Sequence, residues 1–270
     1  MSYKQKQVVV IIPAHNEQEC IAQVVDELTE LNTDDDSARL VDAVIVCDNA
    51  STDNTAFAAR KAGAHVVKEA QMGYGAACLR AMQALESSEL REKGVTTDFV
   101  VFMDGDHSMQ ASELPLLLNE LIKGKDLVVG TRVNHMQEKG ALSAHQRFGN
   151  VLASALIRFL WKKPITDLGP FRAMRYRSLI SLDMQDRRFG WTVEMQVKAI
   201  QLGLKYSEVP VSALTRIGVS KISGTLKGTI GAAHGIFGKV FQLYWQQTGF
   251  IEAVKRAERE EDYVSIGKPS

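Results

Sequence analysis

The sequence predicts an α/β fold with a mostly parallel central sheet flanked by helices, and three observations carry that expectation. Short β-branched runs alternate with longer amphipathic stretches through the first half of the chain. The runs are apolar throughout rather than alternating, as strands covered on both faces are. Polar clusters follow the runs directly: PAHNE (13–17), DNASTDN (48–54) and DGDH (104–107). In open α/β sheets that position, just past the carboxyl ends of strands, is where ligands bind.

The elements follow in order. VVVII (8–12), AVIVC (43–47), AHVV (64–67), FVVFM (99–103) and LVVG (127–130) are predicted strands. Apolar residues recur at helical spacing over Cys20–Leu31 and Asn54–Ala62, and again over Gln146–Leu160 and Thr192–Leu202, with a last strand at Lys205–Val209. Asn32–Arg39, with three consecutive aspartates, reads as a solvated loop, and residues 132–145 lack clear periodicity. No internal repeat or low-complexity tract interrupts the chain. One catalytic unit is expected over 1–211, a glycine-rich amphipathic segment over 212–250, and a charged, partly disordered tail over 251–270.

Composition narrows the function classes. With 45% apolar and 24% charged residues the chain is globular material. Its formal net charge of zero gives no global attraction to nucleic acid, so anions must be met by local clusters. Cys20, Cys47 and Cys78 show no C-x-x-C pairing, which predicts buried thiols in a reducing compartment. The apolar run before Pro13 has only about five residues, too few for a signal peptide. No run approaches the ~20 apolar residues of a membrane span. These features predict a cytoplasmic protein, free or peripheral on the inner face of a membrane.

Asp104-Gly105-Asp106 closes the fourth apolar run. Two carboxylates one residue apart at a strand end can share an ion, and Mg²⁺ or Mn²⁺ suits few protein ligands plus substrate phosphate oxygens. Turn chemistry alone also favours Asp and Gly. Gly73-Tyr-Gly75-Ala-Ala resembles part of a dinucleotide fingerprint, but it does not follow the first strand as that fingerprint requires. A tight turn using glycine's freedom at positive φ is the simpler reading.

Nine blocks together resemble the family-2 glycosyltransferases of GT-A fold, in particular their dolichyl- and polyprenyl-phosphate sugar synthase branch. They are IIPAHNEQE (11–19), DNASTDNT (48–55), GYGAA (73–77), MDGD (103–106), VVGTR (128–132), RFGN (147–150), TDLGPFRAMR (166–175), EMQVKAIQLGLKYSEVPV (194–211) and RIGVSKISGT (216–225). The resemblance implies that Pro13, Ala14, Asn16 and Glu17, with Asp48 and Asn49, contact the nucleotide base or ribose. It places the Gly75 loop over the nucleotide, Asp104 near ribose or metal, and Asp106 on the metal that holds the diphosphate. Two departures stand out: Asn49 replaces the family's second Asp, and Ser108-Met109-Gln110-Ala111 replaces a frequent Gln-His-x-Pro.

Arg132, Arg147, Arg172, Arg175, Arg216 and Lys221 fall inside matched blocks, and guanidinium forks suit phosphate oxygens. Asp167 and Glu194 are the candidate catalytic carboxylates, beside Asp106 and Arg172. A hydroxyl acceptor would need one of them as general base. A phosphate acceptor would not, leaving Asp167 to orient Arg172 or bind sugar and Glu194 to serve a helix dipole. Gly224, Gly228, Gly231, Gly235 and Gly238 recur among apolar residues in an acid-free segment, which fits a helix at a bilayer surface, a packed helix pair or a homo-oligomer contact. The resemblance thus implies a hexose moved from a nucleoside-diphosphate sugar to a polyprenyl phosphate. The alternatives are a soluble hydroxyl acceptor, or a silent nucleotide-sugar-binding protein, against which the intact acidic pair argues.

Overall fold

In the computed structural model of the protein, which describes residues 3–32, 38–92, 94–133, 138, 141, 143–218, 231 and 235–247, the first five apolar runs are all strands. They form β1 (Val8–Ala14), β2 (Ala43–Asn49), β3 (His65–Glu69), β4 (Phe99–Phe102) and β5 (Leu127–Thr131). Sequence reasoning missed β6 (Arg172–Arg175), whose RAMR sequence has no apolar run, and found β7 (Tyr206–Pro210). The strand order is β3-β2-β1-β4-β6-β5-β7. β6 runs antiparallel to both its neighbours; the other pairs are parallel.

Period-two alternation sends β1 into two cores. Val8, Val10 and Ile12 pack on one face with Val24 and Leu28, whereas Val9 and Ile11 pack on the other with Ala77, Ala81 and Trp191. Helices cover both faces. α1 (Ile21–Glu30) buries Ile21, Val24, Val25 and Leu28, the i, i+3, i+4, i+7 stripe that made it legible. α2 (Thr55–Lys61), α3 (Tyr74–Ala84), α4 (Ser88–Glu92) and α5 (Leu114–Ile122) follow. α6 (Ala144–Trp161) opens with a Ser143/Gln146 capping box that satisfies two end groups reciprocally. After α7 (Tyr176–Ser181) and α8 (Trp191–Gln201), a last described helix, α9 (235–247), packs Val240 and Leu243 against Ala153 and Ile157 of α6 and Val193 and Val197 of α8.

All three cysteines are free and buried. Among the described residues no helix is long and apolar enough to cross a membrane. The aspartates at 34–36, Lys221, Gly224, Gly228 and the tail over 251–270 lie outside the described residues.

Candidate active site

Strand order reverses at β1, which has β2 on one side and β4 on the other. A cavity of about 520 Å³ opens there, at the carboxyl ends of these strands. Pro13 and Ala14 reach it from β1, Asn49 from β2, and Asp104, Gly105 and Asp106 from the turn after β4. The expected position and the observed one coincide.

Asp106 is buried, accepts the Ser108 N–H at 3.1 Å and pairs with the Arg216 guanidinium. Arg216 also stands 4.0 Å from Glu17. The chain brings it there after β7, where Leu214 N–H donates to Ser108 O and Ile217 N–H to Asp106 O, both at 3.0 Å. Asp104 has one enclosed oxygen, Oδ1, with no hydrogen-bond partner. Burial and then the charge of Asp106 push its pKa up to about 7, against the Tyr74 hydrogen bond and the charges of Arg216 and Arg132. Two carboxylates this close resist joint ionisation unless more positive charge arrives. An unpartnered buried oxygen beside an acidic partner fits a divalent ion. Among the described residues no cluster of three or more His, Cys, Asp or Glu could hold a metal alone. Such an ion would therefore take the remaining ligands from a bound diphosphate, as Mg²⁺ and Mn²⁺ do. Neither Ser108 nor Gln110 lines the cavity; Ser108 contributes its backbone.

The loops expected to meet a nucleotide are knotted together. Asn16, at φ 54, accepts the Thr52 N–H at 2.8 Å, and Glu17 N–H donates to Thr55 Oγ1 at 2.8 Å. Asp48 accepts the Ser51 N–H at 3.2 Å and is buried, and neither it nor Asn16 lines the cavity. Asn49 ties three segments together. Its amide donates to Glu69 O at 3.1 Å and Gln71 O at 2.7 Å, while its carbonyl accepts the Gly73 N–H at 2.8 Å. This explains the departure from Asp at 49, since a carboxylate would face two carbonyl oxygens with nothing to donate. Asn49→Asp should destabilise the fold by about 1–3 kcal/mol, the usual result of unpairing buried acceptors, read as a lower urea midpoint.

The Gly73–Gly75 stretch starts α3 rather than a free turn. Gly73 has φ 151, but Gly75 is helical and needs its missing side chain for another reason: a Cβ would meet Asp186 O at 2.0 Å. Gly75 N–H and Ala76 N–H donate to Arg188 O and Arg187 O. Gly75 is thus a packing residue and is not among those lining the cavity. The loop it packs on carries Arg188 and Phe189 into the cavity wall, two residues sequence reasoning missed. The only sequence signal was a polar cluster just before a helical pattern.

Glu194 holds that loop. Its buried carboxylate accepts the N–H groups of Gln185 and Asp186 and pairs with Lys198 at 2.9 Å. Lys239 of α9 clasps Asp186 at 3.2 Å. Glu194, expected as a candidate catalytic carboxylate, does not line the cavity itself but holds the loop that does. Arg172 does not line the cavity either. It is fully buried, and its guanidinium donates to the carbonyls of Leu168, Gly169 and Thr192. Burial holds its pKa below the usual value. The partner of Asp167 is Arg132 instead: Arg132 Nε and Nη2 donate at 2.9 and 2.7 Å, and its N–H donates at 2.7 Å. Burial pushes Asp167 up, but the hydrogen bonds and charge of Arg132 outweigh it and hold the group below its ordinary value. Arg147 is exposed on the first turn of α6 and does not line the cavity.

This geometry meets independent comparisons. Residues 9–182 match the model of glycosyl transferase family 2. The chain belongs to that family. An uncharacterised glycosyltransferase of Mycobacterium tuberculosis is 35% identical over 83% of this chain and 93% of its own length. An undecaprenyl-phosphate mannosyltransferase of Micrococcus luteus is 28% identical over 82% of this chain and 89% of its own. In fold, the family-2 chain resembles glucosyl-3-phosphoglycerate synthase from M. tuberculosis, solved with Mn²⁺, UDP and phosphoglyceric acid. That likeness has a TM-score of 0.68 at 22% identity, covering 89% of this chain and 79% of the other. The GT-A architecture expected from the sequence is the one observed.

Proposed function

We propose that this family-2 glycosyltransferase moves a hexose, with inversion and with a divalent ion, from a nucleoside-diphosphate sugar to a polyprenyl phosphate. One observation carries the choice of acceptor: both carboxylates available as general base are already engaged. Asp167 is tied to Arg132 by three hydrogen bonds, and Glu194 to two loop N–H groups and Lys198. A hydroxyl acceptor would need one of them free. A phosphate monoester, with a second pKa of about 6, is already ionised at neutral pH and needs neither. The name of the M. luteus relative supports the same acceptor class.

In this reading the loops from Pro13 to Glu17 and at Asn49 seat the nucleoside. Asp104 and Asp106 would hold a Mg²⁺ or Mn²⁺ ion, which would supply charge stabilisation for the departing diphosphate. Arg216 and Arg188 offer further positive charge at the same wall, and Arg132, held by Asp167 and outside the cavity lining, would meet the incoming phosphate. The acceptor oxygen attacks the anomeric carbon as the bond to the diphosphate breaks; the electron pair leaves with the diphosphate, and no proton changes hands.

The test is transfer to a short polyprenyl phosphate in detergent, with product followed by mass spectrometry, beside the matching polyprenol and soluble phosphorylated acids. Turnover with the lipid phosphate alone is the expected result, rising with pH through about 6 as the acceptor ionises. Glu194→Gln should keep that transfer while raising the donor KM. Turnover with a soluble hydroxyl acid, abolished by Glu194→Gln, would overturn the acceptor assignment.

A further inference from the structure

α6 is apolar on two opposite faces. One face, with Ala153 and Ile157, is buried against α8 and α9. On the other side Phe148, Val151, Leu152, Ala155 and Phe159 recur at i, i+3, i+4, i+7 and i+11, a single stripe at 3.6 residues per turn. Phe148 is 71% exposed and Phe159 69%. Among the described residues nothing covers this stripe, and an exposed apolar patch of this length marks a contact surface.

Charge indicates which partner. Between Glu138 and Asp167 there is no acidic residue, although the chain as a whole carries equal numbers of acids and bases. Lys139, Arg147, Arg158, Lys162 and Lys163 fall in that interval. At 100° per residue, Arg147 and Arg158 border one edge of the stripe beside Val151, and both are exposed. Lys162, the residue that ends the helix, sets its ammonium 4.7 Å from the centre of the Phe159 ring. If the stripe paired with a second copy of itself, these basic edges would be brought together with no acid between them. An anionic bilayer surface meets both requirements, apolar contact below and negative headgroups at the edge.

We infer that the outer stripe of α6 docks the enzyme on an anionic membrane surface. The inference rests on the lipid-phosphate reading for its purpose, because it would hold the site where such an acceptor lies. The helix also reaches the Asp167–Arg132 pair: Asn150 Oδ1 accepts the N–H of Leu168, the next residue, at 2.9 Å.

Flotation of the full chain with vesicles of phosphatidylcholine, with and without phosphatidylglycerol, tests it; neither contains polyprenyl phosphate. The expected result is binding to the anionic vesicles only, weakened by salt. Phe148→Glu with Phe159→Glu should weaken it about tenfold or more while leaving nucleotide-induced thermal stabilisation intact. Val151→Ser with Leu152→Ser is an uncharged second variant, expected to weaken binding in the same direction. Failure of the wild type to float overturns the inference, as do variants that float equally well. So does light scattering that shows a dimer of the wild type and a monomer of the variants, which would make the stripe a self-association face. Transfer to the lipid phosphate in detergent is measured separately, so a negative flotation result leaves the acceptor reading standing on its own assay.

Discussion

Asp106→Ala is expected to lower sugar transfer by about a thousandfold or more, as loss of a transition-state charge clamp does, and to abolish metal-dependent stabilisation by the donor nucleotide. The wild-type chain, screened with UDP, GDP and their sugars, should respond to one base only, and only with Mg²⁺ or Mn²⁺. A ligand at about 100 times its dissociation constant adds about 2.7 kcal/mol, which a melting curve resolves. The fold itself should tolerate the change. Removing Asp106 leaves Arg216 only the more distant Glu17 but also removes the like charge that, after burial, raises Asp104 to about 7. That shift has its own pH signature. Because the folded state holds the Asp104 proton more tightly than the unfolded chain, this group's contribution to stability is greatest at acid pH and declines as pH rises from about 4 towards 7. Asp106→Ala should flatten that decline. If Asp106→Ala kept its metal-dependent nucleotide response, the ion would have to sit elsewhere, and the donor site described here would be wrong.

The sequence made the site's floor legible more readily than its walls. β1 declared itself because Val8–Ile12 is an unbroken apolar run, and the acidic turn after β4 because two aspartates close another. Both depend on local pattern, and local pattern also places them at the strand ends. β6 is a four-residue strand with arginine at each end, held by ladders on both sides, so only its neighbours make it a strand. The same holds for the partners of charged groups. Asp167, Arg132 and Arg172 were all visible as candidates, yet which arginine meets the carboxylate is decided by tertiary placement. Arg172 enters the interior and is satisfied by carbonyls, leaving Arg132 for Asp167. Arg188 and Phe189 were illegible for a related reason: their loop is positioned by Glu194 and Lys239 from elements that follow it. Asn49 looked like a defect in a motif, and only the three segments it joins show why the amide is needed there.

The second large effect concerns stability. Asp167 is fully buried, and Arg132 meets it with a fork of two guanidinium donors plus its own backbone N–H. The net worth of such a pair relative to apolar residues is small, because both ions lost their hydration. Breaking it is another matter, since a largely buried guanidinium is then left without its counterion. Asp167→Ala should therefore cost about 3–5 kcal/mol, or about 10 °C or more in melting temperature. Arg132→Met on that background should recover part of the loss, because no uncompensated charge remains, and the coupling follows from the double-mutant cycle. The acid limb gives an independent reading. Asp167's folded pKa lies below its unfolded value, so its contribution is complete above the unfolded pKa and is lost as pH falls through the folded one. Wild type and Asp167→Ala should differ most near neutral pH and converge in acid. A variant that melts with the wild type, yet loses transfer, would show that the carboxylate acts on the sugar and that its bond to Arg132 is incidental.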